Sequence, residues 1–195
     1  MKFSPLYCLF IVLLFASCGE DDDENLSPTV NELFFGTWVA EDVAASGTIT
    51  TVTNFDGVER TTVAELDFAP NTLDFTLTFA EDGTYSTAGD YVLDADVDVT
   101  VNGQTSVAMR EIEYSNIVNE GEFLAGRDLR LSLIKNLFTL RVDSRVLFNV
   151  NEPQIATYDL QGDVLVITRN QTTVFGSQSS MITNVSSSVS TWRKQ

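Results

Sequence analysis

Apolar and polar residues alternate with a period of two over long stretches of this chain, and this pattern constrains the fold more than any other feature. Residues 73–79 carry an apolar side chain at every odd position, and residues 91–101 do so with mostly Asp and Thr between them. Such alternation is typical of a β-strand with one buried face. Asn102-Gly103 follows directly and is a strong signal for a two-residue hairpin turn. Residues 104–114 are therefore predicted to return as the partner strand.

Helical patterns are scarce. Ser27-Pro28 is typical of the start of a helix, and Val30, Leu33 and Phe34 follow at helical spacing, which predicts one short helical turn. Many short strands with few prolines and little helix predict an all-β antiparallel barrel, with a β-sandwich as the alternative. The further predicted strands are residues 155–160, 164–168, 172–175 and 181–192, with a turn at 161–163.

The segment 123–142 fits two patterns. Apolar residues alternate between 129 and 133, as in a strand, but those from 133 to 138 also fit one face of a helix. We interpret the segment as strands that break at 135–136 and at 143–144.

The N-terminus has the three parts of a secretory signal peptide. Lys2 supplies the positive charge, residues 6–16 form an apolar run, and the small pair Ala16-Ser17 precedes Cys18. The apolar run is about half of what a membrane-spanning helix needs. Cleavage after Ser17 is predicted, so that residues 1–17 form the signal peptide.

Cys18 at this position resembles the lipobox cysteine of bacterial lipoproteins, which is diacylated and becomes the first residue of the mature chain. The acidic run 20–24 resembles the surface-export tag of lipoproteins of the Bacteroidota. The resemblance implies a membrane partner reached through acyl chains such as palmitate on Cys18, and an outer-membrane, cell-surface location. The alternatives are an ordinary secretory peptide that leaves a free thiol, and an acidic tether that only extends the chain. Residues 18–32 are interpreted as lipidated cysteine, tether and short helical turn.

Composition excludes several kinds of chemistry. The chain has no His, and its two cysteines are Cys8, in the signal peptide, and Cys18. A Ser-His-Asp triad, a Cys/His zinc site and a disulfide within the mature chain are therefore excluded. The net charge of −17, one unit more negative once Lys2 is removed, lacks the basic footprint of nucleic-acid binding. We expect no enzyme and no cofactor; a carboxylate-dependent glycosidase is the one enzymatic alternative.

Four short motifs occur in a characteristic order between residues 33 and 195. They resemble those of lipocalins and, more closely, of the lipocalin-like domain lipoproteins of the Bacteroidota. The resemblance implies one up-and-down lipocalin-like barrel over 33–195. The motifs are Gly36-Thr37-Trp38, Phe79 to Tyr85 with its Asp-Gly-Thr turn, Tyr158 to Ile167, and Thr191-Trp192-Arg193-Lys194. The segment 106–151 matches no family motif.

In lipocalins the tryptophan of the first motif packs at the closed end of the barrel, often beneath a basic side chain. The resemblance implies that Trp38 has this position and that Arg193 covers it; Lys194 and Arg169 are the alternatives for the cover. It also implies a small apolar ligand inside the barrel. Phe75, Leu77 and Phe79 would then line the interior.

Two clusters of charge invite a functional interpretation. Asp94, Asp96 and Asp98 offer carboxylates for calcium, but alternate residues of one strand lie about 6.5–7 Å apart, so a solvated face is preferred. Five basic residues between Arg127 and Arg145 offer an anion site, and salt bridges to neighbouring acids are the preferred alternative.

Two functions follow as hypotheses. The first is a lipid-anchored lipocalin-like protein that binds a small apolar ligand. The second is a non-catalytic structural or accessory subunit of a cell-surface complex, with a packed interior and a protein partner on exposed loops. The family resemblance favours the first of these.

Overall fold

The computed structural model describes residues 30–142, 145–147, 154–177 and 179–195. The predictions for residues 1–29, including the signal peptide, Cys18 and the Ser27-Pro28 helix start, lie outside these ranges. Within them, one short helix precedes ten strands. The bounds are α1 Val30–Phe34, β1 Gly36–Phe55, β2 Val58–Phe79, β3 Thr84–Val101, β4 Gln104–Ala125, β5 Arg130–Leu133, β6 Arg141–Val142, β7 Arg145–Val146, β8 Gln154–Gln161, β9 Val164–Ser177 and β10 Ser180–Lys194.

Eight strands form one antiparallel sheet that closes into a ring. From β1 to β5 and from β8 to β10 each strand pairs with its chain neighbour, β5 pairs with β8, and β10 pairs back with β1. Trp38 stands opposite Lys194 and Val52 opposite Met181 in this last pairing. The predicted all-β, antiparallel up-and-down arrangement is confirmed, and the architecture is β-barrel-like.

The strands are longer than the alternation predicted. β2 begins at Val58, whereas the alternation predicted a strand only from residue 73. A register shift between Pro70 and Thr72 moves the buried positions of β2 from even to odd numbers, so the alternation in the sequence is interrupted and the strand looks shorter than it is. The predicted turns at 102–103 and 161–163 are confirmed. The two strands predicted within residues 164–175 are one continuous strand, β9.

The interpretation of segment 123–142 is partly wrong. β4 ends at Ala125 and β5 covers Arg130–Leu133, but no strand follows until the two-residue β6. The chain between β5 and β6 instead enters the interior of the ring, as described below. The predicted break at 143–144 lies outside the described residues.

The ring has two parts, which differ in how many strands lie side by side. In the base all eight strands run side by side, whereas β5 and β8 are short and end where the other strands continue. The outer extension is the part of the hairpins β1–β2, β3–β4 and β9–β10 that continues beyond the base. It comprises residues 46–67, 96–109 and 170–187.

Aromatic side chains fill the bottom of the base beneath α1. The Phe34 ring lies 5.3 Å from that of Phe79 and 4.9 Å from that of Tyr158, both edge-on. Asn31 fastens the helix to the sheet, since its Oδ1 accepts a hydrogen bond from the Ala125 amide at 2.9 Å. In the described part of the chain no helix is long and apolar enough to cross a membrane.

Candidate functional site

The interior of the ring is occupied by the chain's own connection between β5 and β8. We name residues 134–142 and 145–147 of this connection the plug. Connections between strands are usually short, whereas this one spans 134–153, and its apolar residues need burial. The buried apolar residues of the plug are Leu137, Phe138, Leu140, Val142 and Leu147.

Three tyrosines of the wall hold the plug by its backbone. Each tyrosine hydroxyl donates to the carbonyl of one plug residue and accepts from the amide of the same residue. Lys135 and Thr139 lie outside the strands, so for them these bonds satisfy backbone groups that would otherwise be costly to bury. Arg141 belongs to β6 and also pairs with Val146 of β7. The pairs, with the donated and the accepted distance, are Tyr85 with Lys135 (2.7 and 3.1 Å), Tyr91 with Thr139 (3.1 and 2.9 Å) and Tyr114 with Arg141 (2.8 and 2.9 Å).

The strand period explains why these tyrosines point inward. Tyr85 and Tyr91 share the inner face of β3, and Tyr114 of β4 stands directly opposite Tyr91, with the rings stacked at 4.7 Å. Burial raises the pKa of Tyr85 to about 12 and raises the pKa of Tyr91 and Tyr114 above their usual value. The hydroxyls are therefore protonated at neutral pH and able to donate.

Phe138 is the central side chain of the plug. Its ring centroid lies 5.1 Å from that of Phe75, 5.4 Å from that of Tyr91 and 5.3 Å from that of Trp192. Trp192 and Phe75 are fully buried, and Phe138 is 7% exposed. The plug thus fills the position that a small aromatic ligand would take in an open barrel.

The far end of the plug rests on β1 and β10. Asn184 Nδ2 donates to the carbonyls of Val146 at 3.2 Å and Leu147 at 2.8 Å. Leu147 lies so close to Gly47 that a Cβ at that position would overlap its side chain. The absence of a side chain at Gly47 therefore makes room for the plug.

A buried cation lies beside the plug. Arg169 of β9 is 9% exposed, and its guanidinium donates to Asn136 Oδ1 at 2.6 Å and to Gln171 Oε1 at 3.2 Å. Burial lowers the pKa of Arg169 to about 9, so it remains charged at neutral pH. Asn136, itself buried, joins this charge to the plug.

The interior void that the described residues enclose beside the plug is small. A void of about 30 Å³ is lined by Val43, Leu137, Phe138, Arg169 and Ser190, among other residues. This volume admits water, whereas sites for small-molecule ligands measure about 300–1,000 Å³. Phe75, Leu77 and Phe79 face the interior as predicted, but their neighbours are other side chains of the same protein.

Two larger depressions lie on the outside of the sheet. One, of about 600 Å³, is lined by residues that include Glu65, Asp67 and Ser187. The other, of about 620 Å³, is lined by residues that include Glu120 and Glu122. Both are open to solvent and bordered by carboxylates, unlike the concave apolar sites that enclose small ligands.

Trp38 is fully buried, and its Nε1 donates to the Phe34 carbonyl at 2.8 Å. The expected cover by Arg193 is corrected: Lys194 Nζ lies over the Trp38 ring, 5.3 Å from its centroid. The inward position of Trp192 directs Arg193 outward, where it pairs with Glu41 and, at 3.1 Å, with Asp163. Lys194 stands directly opposite Trp38 in the pairing of β1 with β10, so the Lys194 side chain lies on the same face of the sheet as the indole.

The charged clusters are surface features. Asp94 and Asp96 are exposed on the outer face of β3, and among the described residues no group of three acidic side chains is arranged to hold a metal ion. Of the basic cluster, Arg130 pairs with Asp128 at 3.4 Å. Lys135 and Arg141 contribute backbone groups to the tyrosine contacts described above.

Comparison with known proteins adds a single weak likeness. No family model and no curated protein matches the chain. Among solved structures, the translocator domain of autotransporter NalP from Neisseria meningitidis is 9% identical, with 88% of this chain and 90% of that chain covered, at a TM-score of 0.29. A TM-score this low carries no argument about fold or function.

Proposed function

We propose that the protein is an exported, lipid-anchored lipocalin-like lipoprotein that acts at the cell surface as a non-catalytic interaction module. The observation that favours an interaction role over ligand binding is the filled interior. The plug occupies the ring, and the void beside it, about 30 Å³, is far below the size of a ligand site. The long outer extension offers the surface through which a partner is bound.

Anchoring through Cys18 is the part of this proposal that places the module at the surface. The lipobox-like sequence around Cys18 and the acidic run after it support it. Two acyl chains anchor stably, whereas the acidic tether alone is repelled by an anionic membrane.

The experiment uses intact cells that produce the full chain or the Cys18→Ala variant. We expect the unchanged chain in the membrane fraction, sensitive to protease added outside, and the variant released from the membrane. Crosslinking on these cells should recover a defined partner with the anchored chain. Full protection from external protease, or equal membrane retention of both chains, would overturn the proposal.

Binding of a small apolar ligand is the second candidate. It is favoured by the aromatic lining around Phe138 and requires that the plug withdraw. Native mass spectrometry of the protein purified from its own membrane tests it: a stoichiometric apolar molecule would support ligand binding, and an empty protein would count against it.

A further inference from the structure

The outer part of β4 has an edge that no strand of the described residues covers, which we call the free edge. β4 pairs with β5 only through Phe123–Ala125, and from Gln104 to Gly121 none of the described residues forms a strand against this edge. In the base, β5 and β8 fill the space between β4 and β9; in the outer extension neither continues. A strand added beside β4 would therefore extend an existing sheet.

The hairpin turn determines which backbone groups face this edge. In a two-residue hairpin the residues that flank the turn form a hydrogen-bonded pair, here Val101 and Gln104. Even-numbered residues of this part of β4 therefore bond to β3, and odd-numbered residues direct their N–H and C=O groups to the free edge. The residues concerned are Thr105, Val107, Met109, Glu111 and Glu113.

Two of the usual protections of an edge strand are missing here, whereas charge is present. Natural edges are blocked by proline, by bulges, by shortness or by charged side chains, and this edge carries Arg110, which donates to the Met109 carbonyl at 3.4 Å, together with Glu111 and Glu113. Residues 104–114 contain no proline, and the register shift lies beyond them, after Tyr114. Val107 and Met109 are also 70% and 75% exposed on the outer face.

Charge selects the partner. Glu111 and Glu113 follow the two apolar residues on the outer face, and the adjoining strand β3 adds Asp94, Asp96 and Asp98. Like charges face each other across β2 and β3, with Glu65 opposite Asp98 and Asp67 opposite Asp96, an arrangement that is destabilising without nearby cations. A second copy of this strongly acidic chain would add repulsion, whereas a basic strand would relieve it.

We propose that the free edge of β4 binds an extended segment of a partner protein by strand addition. The segment carries basic residues opposite Glu111 and Glu113 and apolar residues opposite Val107 and Met109, at alternate positions. This inference rests on the proposed interaction function and specifies its partner. The backbone edge supplies the binding, and the outer side chains supply the selectivity.

The test uses the mature protein and the capped peptide Lys-Thr-Lys-Thr-Val-Thr-Val-Thr. An antiparallel peptide places its lysines opposite Glu113 and Glu111 and its valines opposite Met109 and Val107. We expect saturable binding by fluorescence anisotropy, weakened by salt, and slower hydrogen exchange of the odd-numbered amides from Val107 to Glu113. The same peptide with Glu in place of Lys should bind at least about tenfold more weakly.

Two variants make the result specific. Met109→Pro removes an N–H that faces the free edge, not the β3 ladder, so it should weaken binding at least about tenfold, whereas the control Met109→Ala should stay within about threefold. Glu111→Lys combined with Glu113→Lys should reverse the preference towards the Glu peptide. Circular dichroism confirms that each variant is folded.

Failure of the Lys peptide to bind the unchanged protein, equal binding by the Pro and Ala variants, or protection of amides elsewhere would overturn strand addition. Each of these results leaves Cys18-dependent surface location intact. Failure of the proposed function would appear separately, as loss of surface location in cells with peptide binding preserved.

Discussion

The hydrogen bonds between Tyr91 and the plug lead to a quantitative prediction. Tyr91→Phe keeps the ring, with its contacts to Phe75 at 4.9 Å, Tyr114 at 4.7 Å and Phe138 at 5.4 Å, and removes only the hydroxyl. The amide and the carbonyl of Thr139 both lose their partner. A buried polar group without a partner costs about 1–3 kcal/mol. Since Thr139 is only partly buried and water reaches some of the site, we expect a loss of about 2–4 kcal/mol.

Urea unfolding monitored by tryptophan fluorescence measures this loss, because Trp38 and Trp192 are both fully buried. Tyr158→Phe is the matched control: its hydroxyl donates to the Gly126 carbonyl at 2.8 Å, outside the plug, and its loss should cost only about 1 kcal/mol. The Trp192 emission, next to Phe138, should also change in Tyr91→Phe and not in the control. A loss below about 0.5 kcal/mol in Tyr91→Phe would refute the view that the hydroxyl holds the plug.

Three further predictions concern the same interior. Raising the pH from 10 to 12 should lower the free energy of unfolding, because tyrosines of the unfolded chain lose their protons near their ordinary pKa while folded Tyr85, whose pKa is raised to about 12, keeps its proton. The loss due to Tyr85 approaches about 1.4 kcal/mol per pH unit. In urea unfolding at a series of pH values, Tyr85→Phe should remove this part of the pH dependence. Lys194→Met should lower thermal stability by about 0.5–2 kcal/mol, because the contact of the Lys194 ammonium with the Trp38 ring is lost. Arg193→Met removes a solvent-exposed ion pair and should lower thermal stability less. Equal effects of the two substitutions would contradict the assignment of Lys194 as the side chain that covers Trp38. Phe138→Ala should cost about 3–5 kcal/mol in urea unfolding and open a cavity that binds benzene in a thermal-shift assay; a loss under 1 kcal/mol would show that this side chain is not packed in the core.

The local features of the fold were accessible from the sequence because they depend on near neighbours. Alternation identified residues 91–101 of β3 and 73–79 of β2, and Asn102-Gly103 identified the hairpin, since a two-residue turn needs residues that accept a positive φ. The first half of β2 was missed for a related reason. The register shift at Pro70–Thr72 moves the buried side chains from even to odd positions, so one strand has two phases.

The plug depends on contacts between distant residues, and no local pattern specifies them. Tyr91 and Thr139 are 48 positions apart, and the partner of the hydroxyl is a backbone group, which every residue possesses. Leu137 and Phe138 are apolar in a way that suits a strand, a helix or an inserted loop equally well. The available signals were the ambiguous pattern of segment 123–142 and the lack of a family motif over 106–151.

The sequence could have predicted which basic side chain covers Trp38. Once Trp192 is placed inside, the period of two directs Arg193 outward and Lys194 inward. The family resemblance alone did not distinguish between these two neighbouring basic residues.

The chain's own plug fills the ring. Native-state hydrogen exchange of the Lys135, Thr139 and Arg141 amides tests it most directly, because each of the three donates to a tyrosine hydroxyl of the wall. We predict protection of the Thr139 amide comparable to that of the amides of the β2–β3 ladder, which report the opening of the whole domain. Exchange of all three at the rate of a solvated loop would contradict the account and leave the interior open to a ligand.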